Sequence, residues 1–86
     1  MDYLVVYDIS DSKKRLKVAR ILQKFGYRIQ YSAFYLVDVK KEQIEYLYEE
    51  LSKYVDSEKD RIFFYPVHPP EIFKGYPLEP WKTFVL

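Results

Sequence analysis

Residues 3–26 read YLVVYDISDSKKRLKVARILQKFG, and this stretch decides the fold. Its first seven residues are apolar apart from Asp8, which predicts a short buried strand that the turn formers of residues 10–12 close. Apolar side chains then recur with the period of one helix face, at Leu16, Val18, Ala19, Ile21, Leu22 and Phe25. Ser12 is placed to cap this helix. Gly26 is expected to end it, because glycine readily takes the left-handed conformation.

The remaining elements follow in a simple order. Residues 28–39 alternate in side-chain type and predict extended chain, although the pattern alone does not separate one long strand from two short ones that bend near residues 30–32. A second helix is predicted from about Lys41 to Val55, and a strand over residues 61–67. This order of strand, helix, extended segment, helix and strand, which is βαββαβ if the extended segment forms two strands, predicts an α+β sandwich with both helices on one face of a sheet.

The end of the chain has a different character. All five prolines lie between Pro66 and Pro80, so we divide the single domain into a core of residues 1–67 and a proline-rich arm of residues 68–86. The arm ends in WKTFVL, a strand-like segment that is expected to pair with the sheet of a second copy. An apolar sheet face rich in Tyr and Phe also favours a two-fold homodimer.

Charge is unevenly distributed, although the net charge is only +1. Residues 13–28 contain no acid and seven basic side chains: Lys13, Lys14, Arg15, Lys17, Arg20, Lys24 and Arg28. This segment is either an anion-binding face or an ordinary solvated helix face. The chain has no cysteine, and its first apolar run is too short for a signal peptide or a membrane span. A cytoplasmic location without a membrane partner is therefore the expectation.

Asp8 is the main candidate for chemistry. It ends the first strand, where open sheets place functional groups, although it is also suited to bond the amides of Ser10 or Asp11 as a turn residue. One carboxylate is few for Mg²⁺, but a two-fold axis would bring a second Asp8 to the same ion. The single histidine, His68, has no second histidine within metal-ligand spacing and is interpreted as a loop residue.

The segment VVYDISDSKKRLKVARILQKFGYRIQYSAFYLVDV, with DRIFFYPV later in the chain, resembles the CRISPR-associated Cas2 family, the small subunits of the spacer-acquisition machinery. The likeness covers about 67 of the 86 residues and is carried by YDIS, KKRLK, the glycine after the helix, and RIQYSAF. The resemblance implies a ferredoxin-like homodimer that binds magnesium through Asp8. It also implies hydrolysis of phosphodiester bonds in RNA or DNA, and a complex with the CRISPR integrase subunit.

The family residues tied to nuclease activity fall on Tyr7, Asp8, Arg15, Arg28 and Phe34. The two arginines would hold phosphates, and Phe34 would either stack on a base or belong to the core. A further family position that is often arginine is Lys17 here, which keeps the charge but loses the bidentate fork.

Three functions remain open at this stage. The first is a metal-dependent endonuclease, and the second is a non-catalytic DNA-binding scaffold that bridges the integrase. The third, a ferredoxin-like dimer that binds a small ligand or regulates an enzyme, is disfavoured by the basic helix and by YDIS. The sequence does not distinguish RNA from DNA as the substrate.

Overall fold

The structure contains four strands and two helices in the predicted order. A computed structural model of the chain describes residues 1–78. Its elements are β1 (Asp2–Asp8), α1 (Ser12–Gln23), β2 (Tyr27–Gln30), β3 (Ala33–Leu36), α2 (Lys41–Ser52) and β4 (Arg61–Val67). The βαββαβ order is therefore confirmed, and the extended segment forms two strands separated by a turn at residues 31–32.

The four strands form one sheet in the order β2-β3-β1-β4, with antiparallel pairing throughout. β1 is central: Val5 faces Phe34 of β3 on one side and Phe64 of β4 on the other. The β1–β4 ladder runs to the end of β1, where Asp8 is the partner of Arg61. This strand order confirms the predicted α+β, ferredoxin-like class.

The core lies between one sheet face and the two helices. Alternate strand residues such as Val5, Phe34 and Leu36 point to this face, as the two-residue period of a strand requires. From the helices, Leu22 of α1 and Leu51 of α2 complete the same cluster. We call this side of the sheet the helix face and the opposite side the open face.

Gly26 follows the end of α1, and the reason for a glycine there differs from the prediction. Its φ is not positive; the helix finishes through amides that bond to Leu22, with Gly26 N–H donating to the Leu22 carbonyl at 3.0 Å. A Cβ at position 26 would overlap the carbonyl oxygen of Tyr35 in β3. Close backbone approach therefore requires this glycine, and the expected left-handed conformation was wrong.

The N-cap of α1 also differs from the prediction. Ser12 is the first residue of α1 and Asp11 is its N-cap, without a side-chain cap bond. At α2 the Gln43 side chain accepts a hydrogen bond of 2.9 Å from the Lys40 amide, so the capping group comes from inside the helix.

The C-terminal region follows β4. Residues 68–78 form no further helix or strand. The expected strand at residues 81–86 lies outside the described residues, so its pairing with a second copy stays a prediction. The division into a core of residues 1–67 and an arm of residues 68–86 likewise stays a prediction.

Candidate functional site

The turn after β1 is held by Asp60, which directly precedes β4 and lies fifty positions later in the sequence. Ser10 donates both its amide and its hydroxyl to Oδ1 of Asp60, at 3.0 and 2.8 Å, and the Asp56 amide donates to Oδ2 at 3.0 Å. Asp60 is only 6% exposed. Donation by these two amides and by the Ser10 hydroxyl lowers the pKa of Asp60 to about 2. Asp60 is therefore a charged acceptor that fixes this turn.

Asp8 consequently does not fill the turn role. The Ser10 amide is taken by Asp60, and within residues 1–78 no group hydrogen-bonds or pairs with the exposed Asp8 carboxylate. Asp8 continues the alternation of β1 on the open face, since Tyr7 before it is buried on the helix face. The backbone at the strand end is thus fixed by pairing with β4, and it carries a solvent-facing carboxylate.

Arg61 is the neighbour of Asp8 that the sequence reasoning missed. It is the cross-strand partner of Asp8, and paired residues of this kind share one sheet face. Its guanidinium carbon lies 5.9 Å from the centroid of the Phe63 ring, on the same face of β4. The alternation in DRIFFYPV was the available signal, because an arginine that starts a strand beside an apolar run is exposed.

The other predicted site residues meet on the helix face. A pocket of about 300 Å³ opens between α1 and β2, and it is lined by Tyr7, Ser12, Arg15, Leu16, Ala19, Arg28 and Tyr31. Arg15 donates one guanidinium hydrogen bond of 2.9 Å to the carbonyl of Ile9. Two cations and two phenols therefore line a concave surface directly behind the β1 turn, and we call it the arginine pocket.

Tyr7 forms the floor of the arginine pocket. Its ring stacks on Phe34 with 6.4 Å between centroids, and burial raises the pKa of its hydroxyl, opposed by the nearby charges of Arg28 and Arg15. The phenol is therefore protonated at neutral pH, and its oxygen accepts a hydrogen bond from Arg28 while its own O–H is available to donate.

Phe34 does not have the base-stacking role that was expected as one alternative. It is 0% exposed and belongs to the core cluster, so its ring offers no free surface to a base. The Arg28 guanidinium lies over it at 5.2 Å. This burial agrees with the alternative interpretation of Phe34 as a core residue.

The structure thus divides the predicted site into two groups. Tyr7, Arg28 and Phe34 lie on the helix face, whereas Asp8 lies on the open face. Arg15 links the two, because it binds the carbonyl of the residue that follows Asp8. Within one chain, the carboxylate and the arginine pocket therefore lie on different sides of the strand end.

The outer surface of α1 carries the cations that the sequence predicted. Its side chains Lys13, Lys14, Lys17, Arg20 and Lys24 are exposed. The Lys17 ammonium lies 5.9 Å from the centroid of the Tyr54 ring. This row, which we call the basic face, is continuous in sequence with Arg15 and the arginine pocket.

Two further observations concern ligands in the described region. Residues 1–78 contain no cluster of three or more histidine, cysteine, aspartate or glutamate side chains with the spacing of a metal site. Neither α1 nor α2 is long and apolar enough to cross a bilayer.

This geometry defines the class of protein: a ferredoxin-like domain with an aspartate at the end of its first strand and a basic first helix. The family model for the CRISPR associated protein Cas2 matches residues 1–74, and the chain belongs to this family. The resemblance found in the sequence is therefore confirmed.

Named relatives agree with this membership. The chain is 41% identical over 64 residues to the CRISPR-associated endoribonuclease Cas2 4 of Rhodospirillum rubrum, a match that covers 74% of this chain and 51% of the relative. It is 43% identical over 68 residues to the CRISPR-associated endoribonuclease Cas2 1 of Archaeoglobus fulgidus, covering 78% of this chain and 71% of the relative. The match thus spans only about half the length of the Rhodospirillum protein.

Solved structures are similar as well. A hypothetical protein of Thermus thermophilus superposes with a TM-score of 0.78 at 32% identity, covering 90% of this chain and 94% of that one. Cas2 of Streptococcus pyogenes gives 0.72 at 27% identity, covering 79% and 87%. A chain of a partial Cas6-RT-Cas1–Cas2 complex gives 0.53 at 30% identity, covering 73% and 76%.

Proposed function

We propose that this chain is a magnesium-dependent endonuclease of CRISPR adaptation that hydrolyses phosphodiester bonds of RNA or DNA and acts as a homodimer. The observation that carries the proposal is the Asp8 carboxylate, which is exposed, without a partner among residues 1–78, and held at a fixed strand end. Relatives that carry the name endoribonuclease support the activity.

The donor chemistry at Asp8 fits a hard cation. Mg²⁺ prefers carboxylate oxygens and usually keeps water and substrate phosphate as further ligands, so one or two carboxylates are enough. Each chain offers one such carboxylate, and a two-fold axis near β1 would supply the second. When bound, the ion would act as a Lewis acid on a phosphoryl oxygen.

The arginine pocket supplies the positive charge for substrate. Arg15 uses one of its five N–H donors on the Ile9 carbonyl, so the others remain for phosphate oxygens. Arg28 is held over the Phe34 ring and faces the same concave surface. Tyr7, which keeps its proton, can donate a hydrogen bond to the same phosphate.

The open face provides the surface for a second copy. Leu4 and Val6 of β1 and Phe63 and Tyr65 of β4 share it, and the two aromatic side chains are 43% and 46% exposed. Packing of two such faces around a two-fold axis would cover this apolar surface and would place both Asp8 residues on the shared side of the dimer.

A DNA-binding scaffold is the second candidate function. The exposed basic face of α1 favours it, since a row of cations binds phosphates without any cleavage chemistry. The similar chain found in the partial Cas6-RT-Cas1–Cas2 complex makes an integrase subunit the natural partner in this role. In this function Asp8 would be dispensable, whereas the basic face would not.

One experiment separates the two functions. Labelled RNA and duplex DNA are incubated with and without Mg²⁺, and the wild type is compared with Asp8→Asn and Asp11→Asn. Asp11 is the matched control, because it is an exposed aspartate of the same turn without a side-chain cap bond. Asn keeps the shape of aspartate but loses the charge that a hard cation requires.

We expect Asp8→Asn to lose cleavage while its circular dichroism and nucleic-acid affinity stay at the wild-type level. Asp11→Asn should cut as the wild type does. If Asp8→Asn cuts as fast as the wild type, the metal role is wrong and the scaffold function is favoured.

A further inference from the structure

We infer that Asp60 is the positioning residue of the Asp8 site; this inference rests on the proposed function. Asp60 stands directly before Arg61, the cross-strand partner of Asp8. Its bonds to Ser10 extend the contact between β1 and β4 beyond the last ladder pair. The backbone around Asp8 is thus fixed by Arg61 opposite it and by Asp60 after it.

The three groups that Asp60 binds explain why an aspartate is needed. The Ser10 amide, the Ser10 hydroxyl and the Asp56 amide are all donors, and an ionised carboxylate is an acceptor at both oxygens. An asparagine would place its own NH₂ group against one of these donors. Burial of Asp60 makes such a mismatch costly.

The consequence for Asp8 follows from the geometry of turns. An aspartate at a strand end ordinarily accepts a hydrogen bond from an amide about two residues later, and here that amide belongs to Ser10. Asp60 already occupies it, so neither Asp8 oxygen has a partner among residues 1–78 and both are available to a cation. Without Asp60, the Ser10 amide would be released, and Asp8 would be drawn into the turn.

The test uses two readouts on the full-length chain. The first is Mn²⁺-induced line broadening of the amide signals of residues 7–10 in ¹⁵N-labelled protein, which does not depend on activity. The second is the Mg²⁺ concentration that gives half-maximal RNA cleavage, together with kcat and KM for RNA. Wild type, Asp60→Asn, Ser10→Ala and Asp56→Asn are compared.

Asp60→Asn should need about ten- to a hundredfold more metal in both readouts, the usual effect of losing a group that orients a metal ligand. Its kcat should fall at the wild-type Mg²⁺ optimum, while the KM for RNA stays within about twofold of the wild type, because the arginine pocket is untouched. Asp56→Asn is the matched control: among the described residues the Asp56 carboxylate bonds only the Glu58 amide, at 2.9 Å, and this variant should behave as the wild type.

Ser10→Ala covers the case in which Asp60→Asn does not fold. It removes one hydroxyl bond, keeps the amide bond to Asp60, and should raise the metal requirement about two- to tenfold. Wild-type metal response in folded Asp60→Asn, or in Ser10→Ala, would overturn the positioning role. If the wild type itself shows neither line broadening nor cleavage, the proposed function is wrong, and the positioning role of Asp60 is wrong as well. This outcome is distinguishable from a wild-type metal response in the variants, which contradicts the positioning role alone.

Discussion

The guanidinium of Arg28 lies 5.2 Å from the centroid of the Phe34 ring, and the two residues are cross-strand partners in β2 and β3. Phe34 is fully buried against Tyr7, so a core residue orients a pocket residue. Phe34 therefore supports the position of Arg28 through the packing of the sheet, and its ring is covered on the helix face.

Phe34→Ala should lower the free energy of unfolding by about 3–5 kcal/mol, as for other buried phenylalanines. Urea denaturation followed by circular dichroism measures this loss. Tyr31→Ala is the control, because Tyr31 is 72% exposed in the β2–β3 turn and its loss should change stability by less than about 0.5 kcal/mol. Unchanged stability of Phe34→Ala with weaker RNA binding would instead restore the base-stacking role.

Gly26→Ala tests the close approach of the α1 end to β3. The added methyl group would meet the Tyr35 carbonyl oxygen, which is backbone and cannot turn away. We expect a destabilisation of about 1–3 kcal/mol, which is typical of overpacking. Thermal unfolding measures it, with Lys24→Ala at the exposed helix end as the control. A stability gain in Gly26→Ala would contradict the contact.

The stability of the chain should decrease in acid because of Asp60. Its pKa is about 2 in the folded chain, against about 3.9 for an ordinary aspartate in an unfolded chain. Since the folded pKa is the lower one, the stabilisation is complete above about pH 4 and is lost as the pH falls towards about 2.

The urea midpoint measured across this pH interval should therefore fall less steeply with decreasing pH in Asp60→Asn than in the wild type. In Asp11→Asn, which changes an exposed position, the midpoint should fall as steeply as in the wild type. Equal slopes in Asp60→Asn and wild type would show that Asp60 is not the titrating group.

Much of the fold was predictable, because periodicity reports burial directly. The alternation around Phe34 and the helical spacing around Leu22 identified elements that the structure confirms. The role of Gly26 was not predictable, since close approach to Tyr35 depends on how α1 packs on β3 and not on local sequence.

The candidate site was predictable only in part. YDIS identified Asp8, and the basic run identified Arg15. The contributions of Asp60 and Arg61 depend on contacts across fifty or more positions of sequence, which local patterns do not carry. The sequence alone also did not assign each site residue to a face of the sheet, because that assignment depends on the register of β1 with both β3 and β4.

The basic face should carry sequence-independent nucleic-acid binding. We expect a smaller salt dependence after substitution of Lys13, Lys14 and Lys17 by Gln. The slope of log affinity against log salt concentration should become less steep by about 3, because each lost phosphate contact contributes about 0.9. Fluorescence anisotropy over a salt series measures this slope. Arg15 is left intact, because it also binds the Ile9 carbonyl.

The matched control for the basic face is Gln at Lys40, Lys41 and Lys59, three exposed lysines outside α1 that give the same change in net charge. This variant should keep the wild-type slope. Equal slopes for both triple variants would indicate a general charge effect and would place the nucleic acid elsewhere.

The final prediction links the proposed homodimer to the Asp8 site. Tyr65 lies on the open face opposite Leu4, and its ring stacks on Phe63 with 5.9 Å between centroids. Tyr65→Glu would bury a charge in the proposed interface, and loss of an aromatic hot spot weakens a dimer by about 2 kcal/mol or more, about thirtyfold in Kd. Sedimentation equilibrium should show a dimer for the wild type, whose chain mass is 10.5 kDa, and dissociation for Tyr65→Glu. Tyr31→Glu, in the exposed β2–β3 turn, is the control and should remain dimeric.

If both Asp8 carboxylates are needed at one ion, the specific activity of Tyr65→Glu should rise with protein concentration as dimer re-forms, whereas that of the wild type stays constant. A monomeric variant that cuts at the full rate at every concentration would mean that a single Asp8 is sufficient.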